Sequence, residues 1–146
     1  MGPFSRYHAT YVGRLGVEVG VFVAVDHLRR AGRLRSADLA LYLDVDDWFR
    51  EALPNPPFYG DGNSIGAVTW FKSEPAAHLV ERLTLLLHLL DRNGVPHRMS
   101  CSASPGRIVY EDDFQVGVIP ARRRAPDPLP AGTVLGPTSP GSKRDL

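Results

Sequence analysis

The residues of this 146-residue chain best placed for proton transfer are Asp112 and His97, because one hairpin register sets them on a common apolar face. Ser104-Pro105-Gly106-Arg107 has the composition of a type II turn, with Pro fixing the first central residue and Gly supplying the positive φ of the second. Strands leaving such a turn would pair Cys101 with Tyr110, Met99 with Asp112, Arg98 with Asp113 and His97 with Phe114. Met99, Cys101, Ala103, Ile108, Tyr110 and Phe114 then share one face with the diagonal neighbours Asp112 and His97. Desolvation there would raise the carboxyl pKa and a nearby imidazole would share its proton, with Tyr110 orienting a substrate and Cys101 packed alongside: a cofactor-independent acid–base pair. The competing reading is a bulge or bend at Glu111-Asp112-Asp113 that turns all three carboxylates to water.

A second candidate is the irregular stretch from Leu53 to Ser64, whose Pro, Gly and Asn content excludes a helix or a central strand. It offers the aromatic faces of Phe58 and Tyr59 beside Asp61, Asn63 and Ser64, as binding loops do, and its prolines limit the entropy lost when a ligand orders it. A structural lid over the core fits the same residues. Asp44, Asp47 and Glu51 share a helix face at spacings of three and four, suited to a hard cation or to solvent. His27, His78 and His88 have no metal-ligand spacing, and neither a metal nor a cofactor is assigned. Gly13-x-x-Gly16-x-x-x-Gly20 departs from both the dinucleotide fingerprint and the Walker sequence.

The segment Tyr7-His8-Ala9-Thr10 resembles the His-x-Thr strand of ADP-ribosyltransferase-type NAD-binding folds, over four residues. The resemblance implies a bound NAD, an aromatic on a later strand, for which Tyr59 or Tyr110 is available, and a catalytic glutamate, for which Glu111 is. The chain is short for that fold. A winged helix-turn-helix is disfavoured, because its recognition helix would carry Asp38, Asp44, Asp46 and Asp47 towards phosphates.

These groups must be positioned by a small α+β domain. Arg6 to Val12 alternates, with Arg6, His8 and Thr10 on one side and Tyr7, Ala9 and Tyr11 on the other, as in a half-buried strand. A helix follows from about Val21 to Ala31, with Val21, Val25 and Leu28 inward and Gly32 as its stop. Ser36 is the expected N-cap of a second helix, or of two, gathering Leu41, Val45, Trp48, Phe49, Ala52 and Leu53 and ending at Pro54. Ala67 to Lys72 reads as a buried strand. Glu74 to Asn93 reads as a third helix with a broad stripe of Leu79, Val80, Leu83, Leu86, Leu87 and Leu90, stopped by Gly94. Leu85 and Leu89 form a second line on that helix, requiring either another helix or a subunit interface. Val95 to Ala103 is the next strand, parallel to the one before the helix, and the hairpin completes a small mixed sheet covered by about three helices.

Composition bounds the rest. Residues 4–120 are expected to form one domain of about −2 charge; residues 121–146, rich in Pro and Gly with five basic side chains against two acidic, form a basic tail. A slightly acidic domain lacks the basic footprint of nucleic-acid binding, so any attraction to polyanions belongs to Arg122, Arg123 and Arg124. The single Cys101 allows no intrachain disulfide, which suits a reducing cytoplasm. No targeting signal is expected at the N-terminus, and the apolar run from Val17 to Val25 falls short of the ~20 residues of a membrane span. The absence of a strong catalytic motif favours a binding or interaction module, self-associating through the third helix or taking a small-molecule ligand, over the Asp112/His97 enzyme.

Overall fold

The computed structural model describes residues 2–121, apart from the side chain of Asp61; the expected tail beyond Ala121, with Arg122 to Arg124, lies outside the described residues. Six strands and three α-helices follow in the order β1 (Phe4–Val12), β2 (Glu18–Gly20), α1 (Val21–Arg30), α2 (Ser36–Ala52), β3 (Val68–Lys72), α3 (Ala77–Arg92), β4 (His97–Ser102), β5 (Arg107–Glu111) and β6 (Gln115–Ile119). A short 3-10 helix, Pro57–Asp61, breaks the long loop. The α+β class expected from the sequence is the one observed.

Local chemistry explains the helix ends. α1 and α3 both stop at a left-handed glycine, Gly32 and Gly94. In each, the N–H two residues past the last cap reaches back to the third-last carbonyl, Arg33 to Leu28 and Val95 to Leu90, a Schellman closure. α2 is one continuous helix, and Arg35 rather than Ser36 stands at its cap, with the Leu39 N–H donating to the Arg35 carbonyl. Glu74 and Pro75 form a turn ahead of α3 instead of its first turn; the helix starts at Ala77.

All the helices lie on one face of the sheet. Val21, Phe22, Val25 and Leu28 of α1, Tyr42, Val45 and Phe49 of α2, and Leu79, Leu83, Leu86, Leu89 and Leu90 of α3 close a single core over Ala9 and Phe71. Burying each large side chain contributes about 1.5–3 kcal/mol. Leu89 is fully buried there, and Leu85 packs against the same cluster at partial exposure. The second leucine line of α3 is therefore covered within the chain by α1 and α2, so Leu89 is not available as an interface residue.

The sheet differs from the expected one in its pairing. β4 lies against β1, with Phe4 opposite Ser102, Arg6 opposite Ser100, His8 opposite Arg98 and Ala9 opposite His97. β5 pairs instead with β6, which pairs with β3, and β3 meets β1 at Phe4 and Ser5. The Ser104-Pro105-Gly106 stretch is consequently not a hairpin turn but a link between two sheet edges. β3 and β4 do run parallel, but β1 enters between them, so every pairing in the sheet is antiparallel.

The link dictates the shape of the sheet. Five residue steps from Ser102 to Arg107 reach roughly 18 Å at full extension. In a flat sheet the two edges would stand about 19 Å apart across four strand spacings, before any offset along the strands is counted. The sheet must curl. On its helix-free face, Val68, Val116 and Val118 are buried with Phe4, Trp70 and the loop residues Leu15 and Val17 packed against them, a second small core.

Candidate functional site

The expected acid–base pair is not assembled. His97 sits on β4 and its Nε2 meets Asp91 Oδ1 at 2.7 Å. Asp112 lies past the other edge of the sheet, where it organises the β5–β6 turn: Oδ1 accepts from the N–H groups of Phe114 (2.9 Å) and Gln115 (3.1 Å). Its Oδ2 accepts from the Tyr110 hydroxyl at 2.6 Å and from Gln115 Nε2 at 2.9 Å. Burial alone would raise this carboxyl, but the hydrogen bonds from Tyr110, Gln115 and the two backbone N–H groups outweigh it and hold the pKa below the ordinary value. A carboxylate so held is a turn anchor. Cys101 is exposed on β4 beside Met99, on the opposite sheet edge from Tyr110.

The aromatic loop does meet β5, though the Tyr59 hydroxyl and the Asn63 amide face inward and Ser64 is exposed. Phe58 lies tilted against Tyr59 with ring centroids 4.6 Å apart and stands edge-on to Tyr110 at 6.3 Å, over Gly117, where a Cβ would come within 2.5 Å of the Phe58 ring. The Tyr59 hydroxyl bonds Thr69 Oγ1 at 3.1 Å, and the buried Asn63 amide bonds both the carbonyl and the N–H of Ala67. Gln115 Nε2 ties Pro54 to this cluster at 2.7 Å. Asp61's side chain is outside the described part. Asp44, Asp47 and Glu51 remain on the exposed side of α2, and among the described residues no group of three or more His, Cys, Asp or Glu side chains is placed to hold a metal.

A different constellation occupies the helix-free face. Alternation along β1 sends Arg6 and His8 there, and both are buried, at 3% and 1% exposure. The β1–β4 register sets Ser100 directly across from Arg6 and Arg98 across from His8, so the four side chains form a square whose diagonals are His8–Ser100 and Arg6–Arg98. His8 Nδ1 is 2.8 Å from the Ala9 carbonyl, and His8 Nε2 is 2.7 Å from Ser100 Oγ. A carbonyl only accepts, so Nδ1 carries the proton and the lone pair of Nε2 receives the Ser100 hydroxyl.

The electrostatics keep that imidazole neutral. Burial is the largest cause pushing the His8 pKa below its ordinary value; Arg6 and Arg98 push the same way, while the Ala9 carbonyl and Glu18 oppose them. A histidine that binds its proton less tightly folded than unfolded contributes stability above its unfolded pKa of about 6.5, lost as pH falls through the folded value. Urea titrations of wild type and His8→Gln across this range should therefore show a steeper acid-side loss in the wild type; parallel curves would contradict the assignment.

Compared with known proteins, the chain matches no family model, no curated protein and no solved structure.

Of the residues the His-x-Thr resemblance nominates, His8 and Thr10 share the helix-free face by alternation along β1, and Glu111 joins them through its register with Val116 and its 2.6 Å ion pair with Lys72. Tyr110 points to the other face with Gly117, and Tyr59 lies on the 3-10 helix rather than on a strand. Sequence reasoning missed Ser100, Arg6 and Arg98. The one available signal was the run of polar residues on alternate positions of an otherwise apolar strand.

Proposed function

We propose that the chain is a binding protein for a small anionic ligand, taken up on the helix-free face of the sheet. The observation that carries this reading is Arg98. It is exposed, has no carboxylate partner among the described residues, and stands diagonal to the buried Arg6 across a neutral His8–Ser100 pair. A guanidinium presents a fork of N–H donors matched to carboxylate or phosphate oxygens. Arg6 and Arg98 together outweigh the single neighbouring carboxylate of Glu18, which favours anions over cations at this position.

NAD, which the His8-x-Thr10 resemblance implies, carries a pyrophosphate and is one ligand of this class. Calorimetric titration with NAD, and separately with inorganic pyrophosphate, should show saturable binding that Arg98→Ala weakens by about tenfold, equivalent to ~1.4 kcal/mol. Undetectable binding of both probes, or affinities unchanged by the substitution, would overturn the reading. Among the described residues no helix is long and apolar enough to cross a membrane.

A further inference from the structure

We infer that Ser100 is an acyl-accepting nucleophile with His8 as its general base, and that the site acts on esters or thioesters of acids bearing a second, anionic group. The anionic class rests on the binding reading above, whereas the nucleophile rests on its own geometry.

A serine hydroxyl is a weak nucleophile until a base takes its proton, and the arrangement that does this is a neutral imidazole within hydrogen-bond reach whose far nitrogen is held by an acceptor. Both conditions are present: Ser100 Oγ is 2.7 Å from Nε2, and the Ala9 carbonyl holds Nδ1–H at 2.8 Å, in the orienting role that a carboxylate has in a triad. The accessibilities are suited to the task. His8 is buried at 1% exposure, while Ser100 keeps partial access to solvent on an edge strand that, among the described residues, pairs only with β1. Arg98 lies two residues from Ser100 on the same strand face, where its guanidinium can hold the second, anionic group of the acid.

The chemistry balances with water as the only co-reactant. Ser100 Oγ attacks the carbonyl carbon as its proton passes to His8 Nε2; the bond to the leaving oxygen or sulfur breaks, and that atom departs with the proton from Nε2. Water then attacks the acyl-serine, giving a proton to Nε2; the acyl–Oγ bond breaks, the acid is released, and Ser100 recovers its proton. The charged groups facing His8 are Arg6, Arg98 and Glu18, and the two cations outweigh the anion in opposing imidazolium formation.

The test uses 4-nitrophenyl acetate and the mono-4-nitrophenyl ester of succinic acid with the full chain, in a Cys101→Ala background because Cys101 is an exposed thiol. Release of nitrophenolate should be accompanied by an acyl group that peptide mass mapping assigns to Ser100, and Ser100→Ala should slow release by roughly a hundredfold. Mapping needs no destabilised variant, so it stands even if Ser100→Ala folds poorly. The succinyl ester should react faster than the acetate, and Arg98→Ala should erase the difference. No acylation of Ser100, in a chain that still binds pyrophosphate, would overturn the nucleophile and leave the binding reading in place. Acylation at equal rates from both esters, in a chain that binds no pyrophosphate, would overturn the anionic class.

Discussion

Replacing Leu89 by alanine is expected to lower the stability of the chain by about 2–5 kcal/mol, the cost of deleting a fully buried leucine and leaving a cavity behind. Leu89 has 0% exposure and belongs to the cluster that α1, α2 and α3 close over the sheet. Leu85, on the same helix, is only partly buried against that cluster, so Leu85→Ala should cost distinctly less. Urea unfolding of both variants provides the comparison. A contact between two copies behaves differently, since truncating it shifts the oligomeric state and leaves the unfolding midpoint of the monomer unchanged. That pattern for Leu89 would return it to the surface of the fold.

Asp112→Ala should lose roughly 2–3 kcal/mol, although Asp112 is not fully buried, because it strips four donors of one shared acceptor, and hydrogen bonds to a charged group are each worth about 1.5–3 kcal/mol. The donors are the Tyr110 hydroxyl, the Phe114 and Gln115 N–H groups and the Gln115 amide, all converging on a single carboxylate. Asp112→Asn keeps an acceptor for the two backbone donors, but its new NH2 group faces donors where Oδ2 was, so an intermediate loss is expected. The carboxyl pKa is depressed in the fold, so its stabilisation is present above the unfolded value of about 3.9 and is lost as pH falls through the lower folded value. Thermal melts of the three chains between neutral pH and strong acid should converge at the acid end; a constant gap would show that charge has no part in the turn.

Much of the fold could be read in the residues themselves. The alternation of β1 separated Tyr7, Ala9 and Tyr11, which meet the helices, from Arg6 and His8; Gly32 and Gly94 marked two helix ends, and the leucine stripe of α3 named most of its buried face. What escaped was pairing between distant segments. A Pro-Gly sequence encodes a change of direction, and it serves a link between edges as well as a tight hairpin; local composition does not distinguish them. Gln115 and Gly117 interrupt the apolar run of β6, so the strand that β5 actually uses was concealed by one residue binding Pro54 and another making room for Phe58. The Asp112 turn had a chemical signal, an aspartate able to bond the backbone two residues on, which competed with the acid–base reading of the same carboxylate. The His8–Ser100 bond joins residues 92 apart and exists only because β4 chose β1. No local pattern announces it.

The central position of β1 has a consequence for how the molecule is made. β1 precedes every strand it pairs with, so its pairing along one edge waits for β2 and β3 and along the other for β4, which begins only at His97. Pairings of such long sequence separation must close large loops before they gain any contact energy, which slows folding. A nascent chain therefore carries an unsatisfied strand until β4 has been made, open to other chains that present a free edge. Shielding of β1 on the ribosome should raise the yield of soluble protein more than any change made downstream of β4.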